Sequence, residues 1–198
     1  MTSRSTDHEP LSRPAAAGLV AGSFVALLYV IEIVDTVASG RLDQYGVHPR
    51  QVSGLDGIVF APMLHGGWAH LIGNTVPLLV LGFLLALSGV RTWLQVTAIV
   101  WVVGGVGVWL LGGADTNHIG ASGVVFGWLA YLIVRGVFNR SPSQIVMGVV
   151  VFLVYGGVLW GVLPGRPGVS WESHLFGAAA GALAAWLLAA RYDEPDPV

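Results

Sequence analysis

The sequence predicts an all-α membrane protein, a bundle of six transmembrane helices with both termini cytoplasmic, and three observations carry that prediction. Of 198 residues, 55% are hydrophobic and only 10% charged, against about 25% charged in an ordinary soluble domain. The apolar residues fall into six continuous stretches, each close to the roughly 20 residues that cross the hydrocarbon core of a bilayer. The connections between them are short and leave no room for a second domain. The same composition excludes other classes. There is no cysteine, hence no disulfide framework and no zinc–thiolate site. The net charge is −2 with no basic run, so no electrostatic footprint for nucleic acid exists.

Taken in chain order, residues 1–14 are a polar cytoplasmic tail and 15–190 the membrane domain. The first span covers 15–37. Its apolar run is longer than that of a signal peptide and its leader carries Asp7 and Glu9, so a retained helix is expected. Glu32 and Asp35 fall in its last turn, where a solvated helix end is the simplest reading. A loop of about thirty residues follows. In it Leu55, Ile58 or Val59, and Met63 recur every three to four positions. That pattern fits a short helix in the headgroup zone and equally a loop packed over the bundle.

The remaining spans cover 68–88, 94–113, 120–138, 143–163 and 173–190, and an acidic tail occupies 191–198. With the N-terminus inside, Arg4, Arg13, Arg91, Arg135, Arg140 and Arg191 are cytoplasmic and Arg41, Arg50 and Arg166 are outside. Arginine excess on the cytoplasmic side favours that orientation. Gly156-Gly157 and the Pro164-Gly165-Arg166-Pro167-Gly168 turn at the outer end of the fifth span mark either a gate or a tight connection.

Lipid makes polar side chains expensive, so those that persist within spans are the functional candidates. In the second span His70 and Asn74 are four residues apart and share a helix face, whereas His65 points elsewhere and precedes the helix. Alone, the pair reads as structural hydrogen bonding between helices. The fourth span opens Gly120-Ala121-Ser122-Gly123. A serine in a first turn is most often a cap, but glycines on both sides let another backbone or a substrate approach the hydroxyl, and the unpaired first-turn N–H groups favour a developing negative charge. In the sixth span Gly177 and Gly181 lie about 60° and about 20° from the direction of His174. The histidine therefore sits on the face that packs closest to a neighbour, and a hydrogen bond from Ser122 to His174 becomes plausible if that neighbour is the fourth span. Imidazole is the base suited to take a serine proton near neutral pH, and His70 and Asn74 would act as oxyanion donors.

Together these motifs resemble the rhomboid family of intramembrane serine proteases. The family's His-x4-His-x3-Asn is here His65, His70 and Asn74; its Gly-x-Ser-Gly is Gly120, Ser122 and Gly123; its His-x2-Gly-x3-Gly is His174, Gly177 and Gly181. The resemblance implies a Ser122/His174 dyad without metal or cofactor, with oxyanion stabilisation by His70, Asn74 and the Ser122 backbone N–H. It implies a water-filled site opening to the extracellular side, a shortened fourth span, and transmembrane proteins of the lipid bilayer as substrates. Two positions depart from the family pattern. Asp56-Gly57 stands where a Trp-Arg pair is usual in the first loop, and Phe126 stands one turn after the serine where tyrosine is common. Phenylalanine keeps the stacking surface for the histidine and loses the hydroxyl.

Three other readings compete. A catalytically silent relative that binds transmembrane helices would be marked by loss of the serine or the histidine, and both are present. A transporter or proton channel would line several spans with ionisable groups, and spans three and five have none. A metal or haem site on His65, His70 and His174 would need His65 and His70 to converge, and neither cysteine nor an intramembrane carboxylate joins them.

Overall fold

The computed structural model describes residues 11–165 and 168–189. Residues 1–10, 166–167 and 190–198, with Arg4, Arg166 and Arg191, lie outside the described residues. The described residues form helices α1 (Arg13–Val37), α2 (Gly57–Phe60), α3 (Trp68–Ala86), α4 (Val90–Leu111), α5 (Ser122–Phe138), α6 (Pro142–Tyr155) and α7 (Trp171–Leu187). A single antiparallel bridge, Val47 with His118, stands outside them. α1, α3, α4 and α6 with its continuation are long and apolar enough to cross a membrane. α5 and α7 have 17 residues each, a rise of about 26 Å, less than the roughly 30 Å of hydrocarbon.

α5 is the centre of the bundle. It is largely apolar apart from Ser122 at its start and Arg135 near its end, ten of its 17 residues are buried, and α3, α4, α6 and α7 all pack on it, as expected of a helix covered on every side. Trp128 is fully buried; its indole N–H donates to Thr97 Oγ1 at 3.0 Å, and its ring packs with Phe24 and Trp93. The peripheral α6 buries only Gly148 and Val151. The fifth span is not α-helical to its end. At Gly156-Gly157 it tightens into a 3₁₀ helix, Gly156–Val162, where two poor helix formers in succession weaken the α-helical ladder.

The α5–α7 contact is a close one, and glycine makes it so. A Cβ placed on Gly177 would lie 2.1 Å from the Gly123 carbonyl oxygen, and one on Gly181 2.0 Å from that of Gly127. The two backbones therefore touch one turn after another along the interface.

One expectation needs correction. Glu32 and Asp35 are not a solvated end, being 3% and 5% exposed. Ser39 and Gly40 both take positive φ, which reverses the chain so that the Leu42 N–H donates to Asp35 Oδ1 at 2.7 Å. Of the two readings of the first loop, packing over the bundle is the one found: the loop is a string of short helical turns lying over α4. Ile58 lies against Gly105, Trp101 and Trp109 donate to the carbonyls of Val59 and Gln51, and the Arg50 guanidinium donates to the Gly112 carbonyl at 2.8 Å. The loop is thus anchored without the usual Trp-Arg pair. Gly57 is itself required, because a Cβ there would lie 2.1 Å from the Gly46 carbonyl oxygen.

Candidate active site

Ser122 is the first residue of α5. Its approach is set by Gly120, whose φ of +116° only glycine adopts without strain and whose missing side chain leaves space for His70: a Cβ would fall 2.5 Å from His70 Cε1. The Gly120 N–H is tied to the Ala61 carbonyl at 2.9 Å. His174 lies in the first turn of α7, held against α5 by the glycine contact one turn deeper. Its Nε2 is 2.9 Å from Ser122 Oγ.

The other ring nitrogen, Nδ1, is 2.9 Å from the Gly161 carbonyl oxygen. A carbonyl only accepts, so Nδ1 carries the proton and Nε2 presents its lone pair to the serine hydroxyl. Phe126 stacks on the imidazole, centroids 4.0 Å apart and planes 6° from parallel. Gly161 closes the third side, where a Cβ would meet Phe126 at 2.9 Å and His174 Nδ1 at 3.1 Å. Sequence reasoning passed over Gly161. It sits among several glycines of the fifth span, and only the fold brings its carbonyl to α7.

A cavity of about 810 Å³ opens over this pair, lined among others by Gly66, His70, Asn74, Ser122, Glu172 and His174. Asn74 is 8% exposed, and its Nδ2 has no hydrogen-bond acceptor among the described residues. A buried amide donor is costly to leave unmade, and this one borders the cavity that Ser122 also lines. His65 is placed differently, away from the cavity and 1% exposed. Its Nε2 accepts the Ala121 N–H at 3.4 Å and its ring meets the edge of His70 at 5.1 Å. It supports the wall behind the site. Of the residues singled out by motif, His70, Asn74, Ser122 and His174 line the cavity, Phe126 stacks on His174, His65 and Gly120 lie in the chain leading into α3 and α5, and Gly123, Gly177 and Gly181 lie in the α5–α7 contact.

Burial, reinforced by the neighbouring His70 ring, pushes the His65 imidazole down to about 4. Between pH 6.5 and 4 the unfolded chain holds a proton on this residue that the folded chain does not, so stability falls as pH falls through that window. The loss attributable to His65 is expected to reach about 3 kcal/mol. Thermal unfolding in detergent from pH 7.5 to 4 checks it. The gap between wild type and His65→Gln should shrink steadily on acidification, and a gap independent of pH would refute the assignment.

Residues 52–191 match the family model of the Rhomboid domain. The chain is 52% identical over 176 residues to "Uncharacterized protein Rv1337" of Mycobacterium tuberculosis, covering 85% of this chain and 73% of that one. It is 49% identical over 181 residues to "Uncharacterized protein ML1171" of Mycobacterium leprae, covering 87% and 72%. It is 27% identical over 127 residues to "Putative rhomboid protease YdcA" of Bacillus subtilis, covering 63% of each.

Proposed function

The chain belongs to the rhomboid family of integral membrane proteins, and from that premise we propose that it is an intramembrane serine protease, hydrolysing peptide bonds within or next to transmembrane segments of membrane proteins. The observation that carries the reading is the 2.9 Å approach of His174 Nε2 to Ser122 Oγ with Nδ1 turned to the Gly161 carbonyl. That is the arrangement a general base needs in order to activate a hydroxyl.

In this reading Ser122 Oγ attacks the scissile carbonyl carbon while its proton passes to His174 Nε2. The resulting oxyanion takes hydrogen bonds from Asn74 Nδ2, the Ser122 N–H and His70, each worth about 3 kcal/mol of barrier. His174 then returns the proton to the leaving amine, and water from the cavity hydrolyses the acyl-enzyme by the same route in reverse. A helical amide is shielded by its own hydrogen bond, so the substrate must unwind locally, which favours small or helix-breaking residues at the cut. No step calls for a cofactor. We read six spans from the six apolar stretches, and the arginine distribution favours both termini on the cytoplasmic side. Because α5 and α7 then start on the extracellular side of a bacterial plasma membrane, the cavity opens there.

Purified protein incubated in detergent with a fluorophosphonate tests the reading. Wild type is expected to be labelled and Ser122→Ala not. Asn74→Ala should be labelled, and should cleave a model transmembrane substrate, about 100-fold more slowly. A folded wild type that neither takes the label nor cleaves such a substrate would favour the silent, helix-binding reading instead.

A further inference from the structure

One polar network in the molecule is used neither by the chemistry above nor by the packing of the core. His118, 5% exposed, lies in the chain entering α5. Its Nε2 is 2.6 Å from Thr116 Oγ1 and its Nδ1 2.6 Å from Ser170 Oγ. Thr116 in turn donates to the Gly113 carbonyl at 2.7 Å. Ser170 is the N-cap of α7, accepting the Ser173 N–H at 3.2 Å, with its Oγ 2.7 Å from Ser173 Oγ. One imidazole thus joins the loop before the serine to the cap of the helix that carries the histidine.

The register gives this contact its meaning. His118 precedes Ser122 by four residues and Ser170 precedes His174 by four, so both pairs span 52 residues. The His118–Ser170 and Ser122–His174 contacts are successive rungs of one ladder. Below them the ladder continues as the backbone contacts Gly123–Gly177 and Gly127–Gly181. Above them, among the described residues, no other hydrogen bond joins the chain entering α5 to α7, and the cavity opens between the two helix ends. Helix ends fray, and a displacement of about 0.6 Å takes the Ser122–His174 contact from 2.9 Å to the limit of a hydrogen bond.

Resting on the hydrolase reading, we propose that His118 is a positioning residue, clamping the chain that enters α5 to the N-cap of α7 so that Ser122 and His174 stay at bonding distance. The backbone of His118 is held independently, its N–H and carbonyl pairing with Val47 at 3.0 and 2.9 Å. Removing the imidazole therefore releases the clamp without releasing the loop.

The test compares wild type, His118→Ala, His118→Gln and Ser170→Ala in the fluorophosphonate assay and in steady-state cleavage of a model transmembrane substrate. A misplacement of about 1 Å costs about 100-fold in an organised site, and a partial release should cost less. His118→Ala is expected to lower both the labelling rate and kcat about 10- to 30-fold with KM within about twofold, and His118→Gln, which keeps a donor and an acceptor, to recover most of it. Ser170→Ala should give a similar loss, and the double variant little more than either alone, because both cut one link. If His118→Ala does not fold, Ser170→Ala carries the same expectation from the other end. A folded His118→Ala with unchanged kcat, a change in KM alone, or losses that multiply in the double variant would overturn the proposal. A wild type that never takes the label would overturn the hydrolase reading and this inference with it.

Discussion

Replacing His174 with alanine is expected to slow both labelling of Ser122 and cleavage of a transmembrane substrate by about 1,000-fold or more, with the melting temperature little changed. A serine hydroxyl is almost wholly protonated near neutral pH, and among the cavity-lining residues only His174 places a basic nitrogen at 2.9 Å from its oxygen. The stability cost is small because one side of the ring faces the cavity rather than the core. Truncation loses the stacking on Phe126, worth about 1 kcal/mol, and opens space that water can fill. His174→Gln sharpens the test. It keeps side-chain bulk and an amide able to donate to the Gly161 carbonyl but supplies no base, and it is expected to be as inactive as alanine. Appreciable activity in the glutamine variant would mean that the imidazole only props the site open.

The legibility of this site from sequence follows the range of the interactions that build it. Ser122, His174, His70 and Asn74 could be singled out because each is a polar residue in a costly place, or sits beside glycines that a helix does not otherwise favour. Those are local signals. The Gly161 carbonyl could not be found in this way, since a backbone group leaves no mark in composition and its partner is 13 residues distant across a turn. His118 also escaped notice, being a loop histidine until the fold sets it beside Ser170, 52 positions away. Glu32 and Asp35 were misjudged for a related reason. Helical periodicity reports which face a residue occupies but not whether the following chain folds back over it, as Leu42 does. A helix lies within a few residues of each predicted apolar stretch because a long apolar run is a local signal, although only four of these helices are long and apolar enough to cross a membrane; the 3₁₀ end of the fifth stretch falls where two glycines adjoin.

The second large effect concerns no chemical group at all. Gly177→Ala is expected to lower stability by roughly 2–5 kcal/mol and to abolish measurable labelling of Ser122. The added Cβ would stand 2.1 Å from the Gly123 carbonyl oxygen, 2.9 Å from its carbon and 3.1 Å from its Cα. These are backbone atoms of a buried helix, and no rotamer change relieves the clash. α7 must move away from α5 by about 1 Å to restore van der Waals distance, and His174 is carried on the same helix, three residues earlier. That displacement alone takes His174 Nε2 out of hydrogen-bond range of Ser122. Stability and reactivity should therefore fall together here, whereas His174→Ala separates them. Gly22→Ala is the matching control. Gly22 lies inside α1 with nothing within 4 Å of an added Cβ, so alanine there should leave labelling unchanged and raise stability by up to about 1 kcal/mol through helix propensity. Unfolding in detergent, followed by circular dichroism alongside the labelling rate, distinguishes the two glycines. A Gly177→Ala protein as stable and as reactive as wild type would show that the α5–α7 interface has slack, and would remove the reason for a glycine at that position.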